Sequence, residues 1–358
     1  MSRSAVLARA RGFCDRFGLR LPILLAPMAG ACPPSLSIAV ANAGGLGSCG
    51  ALLLAPGAIL AWTEEVRAAS NGAFQLNLWI PDPPPRRDPA REAETRAFLS
   101  NWGPAVAPEA GDATPPDFDL QCEALLQAAP PIVSSVMGLY PAPFVARLKA
   151  SGIAWFANVS TVAEALAAEA AGADAVVVQG MEAGGHRSCF DASKAEMALV
   201  GLFALLPAVV DATRLPVVAT GGIADGRGVA AALMLGASAA QIGTGYLRCP
   251  EAQTHRAWAD ALARTPPEGT ALSRAFSGRA GRSIATDYVR AALSAEAPRP
   301  APYPVQRGLT AAMRQAGQQA GDVQRMQAWA GQSAALARAE PAAQVTARFW
   351  RETQDLLG

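Results

Sequence analysis

Histidine is scarce in this 358-residue chain, which has two, and lysine clusters, C-x-x-C spacings and long apolar runs are missing altogether. Each absence removes a class of function. A formal net charge of +1 without a basic stripe offers no electrostatic footprint for nucleic acid or an anionic membrane surface, so a small-molecule ligand is expected. The six cysteines (Cys14, Cys32, Cys49, Cys122, Cys189 and Cys249) are scattered and form no Cys/His cluster. No metal site is therefore expected, and reduced thiols point to the cytoplasm. The longest apolar stretch, residues 197–210, is broken by Pro207 and falls short of the roughly 20 residues that a membrane span needs. Residues 1–17 interleave arginine with small apolar residues and lack an unbroken apolar segment, so they read as an amphipathic helix and not as a signal peptide. With 16% charged and 51% hydrophobic residues, many segments should be buried on both faces, as in a parallel sheet wrapped by helices.

What is present is a regular alternation of short apolar runs with helical patterns. The runs are residues 22–28 (PILLAPM), 45–51 (GLGSCGA), 74–79 (FQLNLW), 131–137 (PIVSSVM), 153–159 (IAWFANV), 173–178 (ADAVVV), 215–220 (LPVVAT) and 239–243 (AAQIG). Thr161 with Glu164 is a capping box at the head of one intervening helix, Asp225 can cap another that ends at Gly236, and a third is expected from about 192 to 206. Eight strands alternating with helices predict an α/β fold, a closed (β/α)8 TIM barrel rather than an open doubly wound sheet, spanning residues 1–250. The proline-rich stretch 81–121 breaks the rhythm and reads as an insertion after the third strand, because proline cannot donate to a ladder. Residues 251–358 read as a helical C-terminal elaboration beside the barrel mouth.

In such barrels the chemistry sits at the carboxyl ends of the strands. The sixth run opens there into residues 179–187, QGMEAGGHR, which carry Gly184, Gly185 and His186. An imidazole with an ordinary pKa near ~6.5 can serve as a general base, or can simply donate in a turn. Gly221-Gly222 ahead of Asp225, and Gly243-Thr244, supply the close backbone approach and the helix N-terminus that a phosphate requires; a plain tight turn would use the same glycine pair. Glu182 and Arg187 read as solvated or as paired with a neighbour. His255 reads as a surface residue, which leaves His186 as the imidazole available for proton transfer. Cys49 could face the site, although small thiols are common in cores.

These motifs together resemble the nitronate monooxygenase family, FMN-dependent TIM barrels. The residues that carry the resemblance are APMAG (26–30), ANAGGLGSCGA (41–51), QLNLW (75–79), QGMEAGGHR (179–187), ATGGIADGRG (219–228) and QIGTGYLRCPEA (241–252), followed by FSGRAGR (276–282), PYPVQRGLT (302–310) and WAGQSAALAR (329–338). The resemblance implies FMN, with its phosphate held by backbone at Gly221, Gly222, Gly243 and Thr244 and its ring system against Pro27, Met28, Asn77 and Gln179. It gives His186, beside Gly184 and Gly185, the role of base or substrate-positioning residue, and it implies oxidation of nitronates or related small organonitrogen compounds by O2. Related flavin enzymes that reduce an enoyl thioester or a quinone with NAD(P)H share the glycine-histidine loop, and a flavin-binding protein without turnover is a third reading. Many family members carry a histidine after the fourth strand, where this chain has Val136 and Met137; these two imply a more apolar substrate wall. Ser188-Cys189 and residues 285–288 (ATDY) also depart from the family pattern.

Overall fold

The apolar runs become strands because their β-branched and aromatic side chains suit a pleated surface buried on both faces. A computed structural model describes residues 2–358. Eight of its strands form one parallel sheet: β1 (Ile23–Leu25), β2 (Gly47–Gly50), β3 (Phe74–Trp79), β4 (Ile132–Val136), β5 (Ala154–Val159), β6 (Ala175–Gln179), β8 (Val217–Thr220) and β9 (Ala239–Ile242). The other three, β7 (Gly185–His186), β10 (Thr270–Ser273) and β11 (Gly281–Ile284), make a separate antiparallel sheet. The large sheet runs β1-β9-β8-β6-β5-β4-β3-β2, and a parallel bridge from Leu24 to Leu46 joins its two ends into the barrel.

The two-residue period of each strand decides what faces the barrel axis. In β3, Phe74, Leu76 and Leu78 join the core between strands and helices, whereas Gln75 lies inside, where its Nε2 donates to Gln241 Oε1 at 3.2 Å. Asn77 and Trp79, on the same side as Gln75, reach the mouth. The opposite end of the barrel is apolar: Leu24, Ile132, Phe156, Val177 and Val218 pack against Phe13 and Phe17 of α1 (Arg3–Phe17). The ring of Phe17 meets that of Phe156 edge-on at 4.7 Å, so the N-terminal helix plugs this end.

The outer layer contains α2 (Pro34–Asn42), α3 (Pro56–Ala69), α5 (Phe118–Ala128), α6 (Ala142–Ala150), α7 (Val162–Ala170), α8 (Leu202–Ala212) and α9 (Gly226–Met234), with α4 (Pro89–Leu99) set apart from it. Three boundaries differ from expectation. The helix expected from about 192 is a single 3-10 turn at Ala192–Lys194, and α8 starts only at Leu202. Gly201 is extended there, and both carboxylate oxygens of Glu182 accept the Leu202 N–H, which fixes the start. The insertion ends before Phe118, because α5 packs on α3 as a barrel helix and Gln121 donates to the carbonyls of Ala51 and Leu54. Finally, the elaboration comprises α10 (Arg256–Ala263), α11 (Asp287–Ala292), α12 (Val305–Leu309), α13 (Ala311–Ala320) and α14 (Ala342–Leu357). Only part of it stands at the mouth: α14 lies against α2 and α9 and buries Val345 and Phe349 in the main core. Among the described residues, no helix is long and apolar enough to cross a membrane.

Candidate active site

A cavity of about 600 Å³ opens at the carboxyl ends of the parallel strands. The inward-facing end residues Asn77, Asn158, Gln179, Thr220 and Gln241 make its floor. Their side chains are mostly fixed. Asn77 Nδ2 donates to Ser134 Oγ at 3.0 Å, and Thr220 Oγ1 donates to the Gln241 carbonyl at 2.9 Å. Gln179 spans its own loop, donating to the His186 carbonyl at 3.0 Å and accepting the Ser188 N–H at 2.9 Å. Asn158 Oδ1 is buried without a partner, an arrangement that costs about 1–3 kcal/mol unless a ligand or water donates to it.

One rim is backbone. Gly221 (φ 113°) and Gly222 (φ 69°) occupy the left-handed region, and a Cβ on Gly221 would lie 3.2 Å from the Ala183 nitrogen and the Gly180 carbonyl. The N–H groups of Gly221, Gly222 and Gly243 have no acceptor among the described residues. Asp225 caps α9 just beyond, its Oδ1 accepting the Gly228 N–H at 3.0 Å. Unpaired N–H groups before a helix N-terminus form an anion cradle. Thr244 has a second use: its Oγ1 accepts the Gly331 N–H at 3.0 Å and holds the C-terminal segment across the mouth.

The other rim is made by side chains at the ends of β3 and β4 and from beyond residue 250. The two-residue strand β7 pairs with β11, placing Gly281 opposite His186 and holding the imidazole in the cavity wall. His186 Nε2 is 2.7 Å from Ser277 Oγ, and the ring meets Trp79 edge-on at 4.6 Å and Trp329 at 4.7 Å. Burial, followed by the charges of Arg279 and Arg307, lowers its pKa to about 3. The ring is therefore neutral at neutral pH. Arg307 lines the cavity and pairs with no carboxylate among the described residues. Arg314 lines it too and donates to Thr310 Oγ1 at 3.2 Å, Gln327 Oε1 at 3.1 Å and the Arg307 carbonyl at 2.9 Å. Burial, then repulsion from Arg307, lowers the Arg314 pKa to about 10, which leaves it charged at neutral pH. Among the described residues no Asp or Glu lines this cavity, so its field favours a negatively charged ligand.

The structure brings together every residue singled out for cofactor or substrate. Pro27 and Met28, Asn77 and Gln179, Gly184 and Gly185, Gly221 and Gly222, Gly243 and Thr244, Val136 and Met137, and His186 all line this one cavity. Met137 holds a left-handed φ of 67°, a local strain at the substrate wall.

Other expectations change. Arg187 is 4% exposed and ties the loop down, donating to the carbonyls of Gln179, Ser160 and Ala198; Glu182 anchors α8. Neither lines the cavity. Cys49 is buried between strands and helices and does not face the site. His255 is half-buried rather than a free surface residue: it caps α10, accepting the Ala257 N–H at Nδ1 (3.2 Å), and it lines the cavity beside Trp258. Sequence reasoning also passed over Trp79, Asn158, Ser277, Tyr303, Arg307, Arg314 and Trp329. All but Asn158 and Arg314 fall inside segments that carried the family resemblance.

Comparison with known proteins agrees with this geometry. Residues 14–352 match the family described as nitronate monooxygenase. The nitronate monooxygenase of Paraburkholderia phytofirmans is 38% identical over 97% of this chain and 96% of its own length. That of Pseudomonas aeruginosa is 40% identical over 92% and 97%. Among solved structures, a nitroalkane oxidase from Streptomyces ansochromogenes superposes with a TM-score of 0.86 at 34% identity, covering 96% of this chain and 98% of that one. FabK from Thermotoga maritima follows with a TM-score of 0.75 at 26% identity, covering 97% and 96%.

Proposed function

Because the chain belongs to the nitronate monooxygenase family, an FMN-dependent family, we propose that this cavity binds FMN and that the protein oxidises nitronates with O2, accepting them as preformed anions. The residues present fit the cofactor. The unpaired N–H groups of Gly221, Gly222 and Gly243 suit its phosphate, and a side chain at Gly221 would crowd that cradle. The floor amides of Asn77, Asn158 and Gln179, one of them with an orphaned oxygen, suit the heteroatoms of its ring system. All six cysteines are free, in keeping with a cytoplasmic setting.

Bound FMN supplies the electron acceptor for the substrate and the donor to O2. The chain's own residues do the rest. Trp79, Trp329 and Tyr303 wall off the space around His186, with the rings of Trp79 and Tyr303 5.4 Å apart, and so keep water away from the reacting groups. Arg307 and Arg314 hold the negative charge of the substrate in a site that has no carboxylate of its own. Val136 and Met137 give the substrate an apolar wall.

The observation that carries this reading is the pairing of N–H groups without a protein acceptor on one rim with two guanidinium groups on the other, where no Asp or Glu among the described residues lines the cavity. A neutral nitroalkane would have to lose a proton before oxidation. His186, with a conjugate acid near pKa 3, is a poor base for that step, which favours the nitronate as the true substrate. The test is oxygen uptake by the FMN-loaded protein. Propionate 3-nitronate should drive it, the parent nitro compound should do so far more slowly, and NADPH should not. Absence of uptake with every small nitronate, together with rapid flavin bleaching by NADPH, would replace this reading with that of an NAD(P)H-dependent reductase.

A further inference from the structure

We propose that Ser277 is a positioning residue: it donates its hydroxyl proton to Nε2 of His186 and so holds the imidazole in the tautomer that carries hydrogen on Nδ1. This inference rests on the nitronate reading above and specifies what His186 does there. Ser277 is 1% exposed, and its Oγ lies 2.7 Å from His186 Nε2, so one ring nitrogen is already committed to the protein. Nδ1 has no partner among the described residues, and the ring forms part of the cavity wall. Nδ1 is thus the nitrogen left for a ligand.

Two proton arrangements satisfy this geometry. In the first, the Arg279 N–H donates to Ser277 Oγ (3.3 Å), the hydroxyl donates to Nε2, and Nδ1–H points a donor at the ligand. In the second, Nε2–H donates to Ser277 Oγ, the hydroxyl donates to the Arg279 carbonyl (3.3 Å), and Nδ1 offers a lone pair. The Arg279 N–H can donate to Oγ in both arrangements and the second adds the contact to the Arg279 carbonyl, so it is the charge of a bound ligand that tips the balance to the first. An anionic oxygen beside a lone pair is repelled, whereas beside an N–H it gains a charge-assisted hydrogen bond. The first arrangement also aligns three donors head to tail toward the anion, so that each polarises the next. Arg307 and Arg314 mark the cavity as one built for anions. His186 is therefore a hydrogen-bond donor to the nitronate; the opposite tautomer would be the one suited to pulling a proton from a neutral nitroalkane.

The chain's second histidine is a built-in control. His255 Nδ1 accepts the Ala257 N–H, which places its own hydrogen on Nε2. In holoenzyme labelled with 15N-histidine and saturated with succinate, an unreactive dianion of the same shape as propionate 3-nitronate, the ring-nitrogen shifts should show one imidazole of each tautomer, and a His255→Asn variant should remove the set protonated at Nε2. Two rings protonated at Nε2 would overturn the proposal. Ser277→Ala should abolish the His186 preference and raise KM for propionate 3-nitronate about 10-fold, with kcat and FMN content much less affected, while Ser277→Thr should retain both the tautomer and KM. A Ser277→Ala protein with unchanged His186 shifts and unchanged KM would equally contradict it. If no nitronate is turned over at all, the functional reading fails on its own, because the tautomer is read by NMR without turnover.

Discussion

The two rims of the cavity are built in different ways. The glycine rim and the floor come from strand ends and the turns that follow them, within a barrel whose alternation fixes which side chains face inward. The opposite rim comes from Ser277, Tyr303, Arg307, Arg314 and Trp329, brought over the mouth by chain that follows the eighth barrel strand. On the proposed reading the contrast divides the labour: backbone N–H groups on one rim for the cofactor, charged and aromatic side chains on the other for the substrate. A barrel turn can conserve a phosphate cradle with glycine alone, whereas substrate preference can drift through side chains of an appended wall.

The sharpest way to break this division is to alter one rim and read both functions. Gly221→Val places a branched side chain where φ is 113° and a Cβ already lies 3.2 Å from backbone atoms, so FMN affinity should fall by about 100-fold or more, measured as flavin retained after gel filtration. Arg307→Gln should leave flavin content unchanged. It should lower kcat/KM for propionate 3-nitronate about 10- to 100-fold, the loss expected for one charge-assisted hydrogen bond, chiefly through KM. Equal flavin loss in both variants would dissolve the distinction between the rims.

The pH dependence is a third and gentler test. His186 has a folded-state pKa lowered to about 3, against about 6.5 for an unfolded histidine. Between these values the unfolded chain binds more protons than the folded one, so stability declines as pH falls from about 6.5 toward 3 and gains nothing further above that window. His186→Asn should flatten that part of the curve in denaturant titrations. The pH profile of kcat/KM should show no histidine limb near 6.5. The smallest effect is at the glycine rim's support: Asp225→Ala removes the cap of α9 and should cost about 1 kcal/mol in a denaturant titration, with FMN still bound.

The same contrast explains what could be read from sequence. The strands were legible because β3 alternates Gln75, Asn77 and Trp79 with Phe74, Leu76 and Leu78, and because left-handed Gly221 and Gly222 lie directly after an apolar run. His186 was legible as a site residue through its motif, but its support was not. The strand holding it has two residues, and its partner β11 lies almost 100 residues away in sequence, a pairing no local pattern encodes. His255 was misread for a related reason: a histidine at a helix start looks solvent-facing until α13 and the strap carrying Trp329 are laid beside it. The late start of α8 follows from the Glu182 carboxylate, contributed 20 residues upstream, and the insertion's end follows from α5 docking on α3. The capping box was half right. Thr161 accepts the Glu164 N–H at 3.1 Å, but the Glu164 carboxylate binds the Ser160 and Phe190 N–H groups and ties two barrel loops together.

Anaerobic mixing of the FMN-loaded protein with propionate 3-nitronate, and separately with 3-nitropropionate, whose nitro-bearing carbon keeps its proton, followed by flavin absorbance near neutral pH, tests the central claim most directly. The account predicts prompt loss of flavin absorbance with the nitronate and little change with 3-nitropropionate. Equal rates with both, or no change with the nitronate, would contradict it.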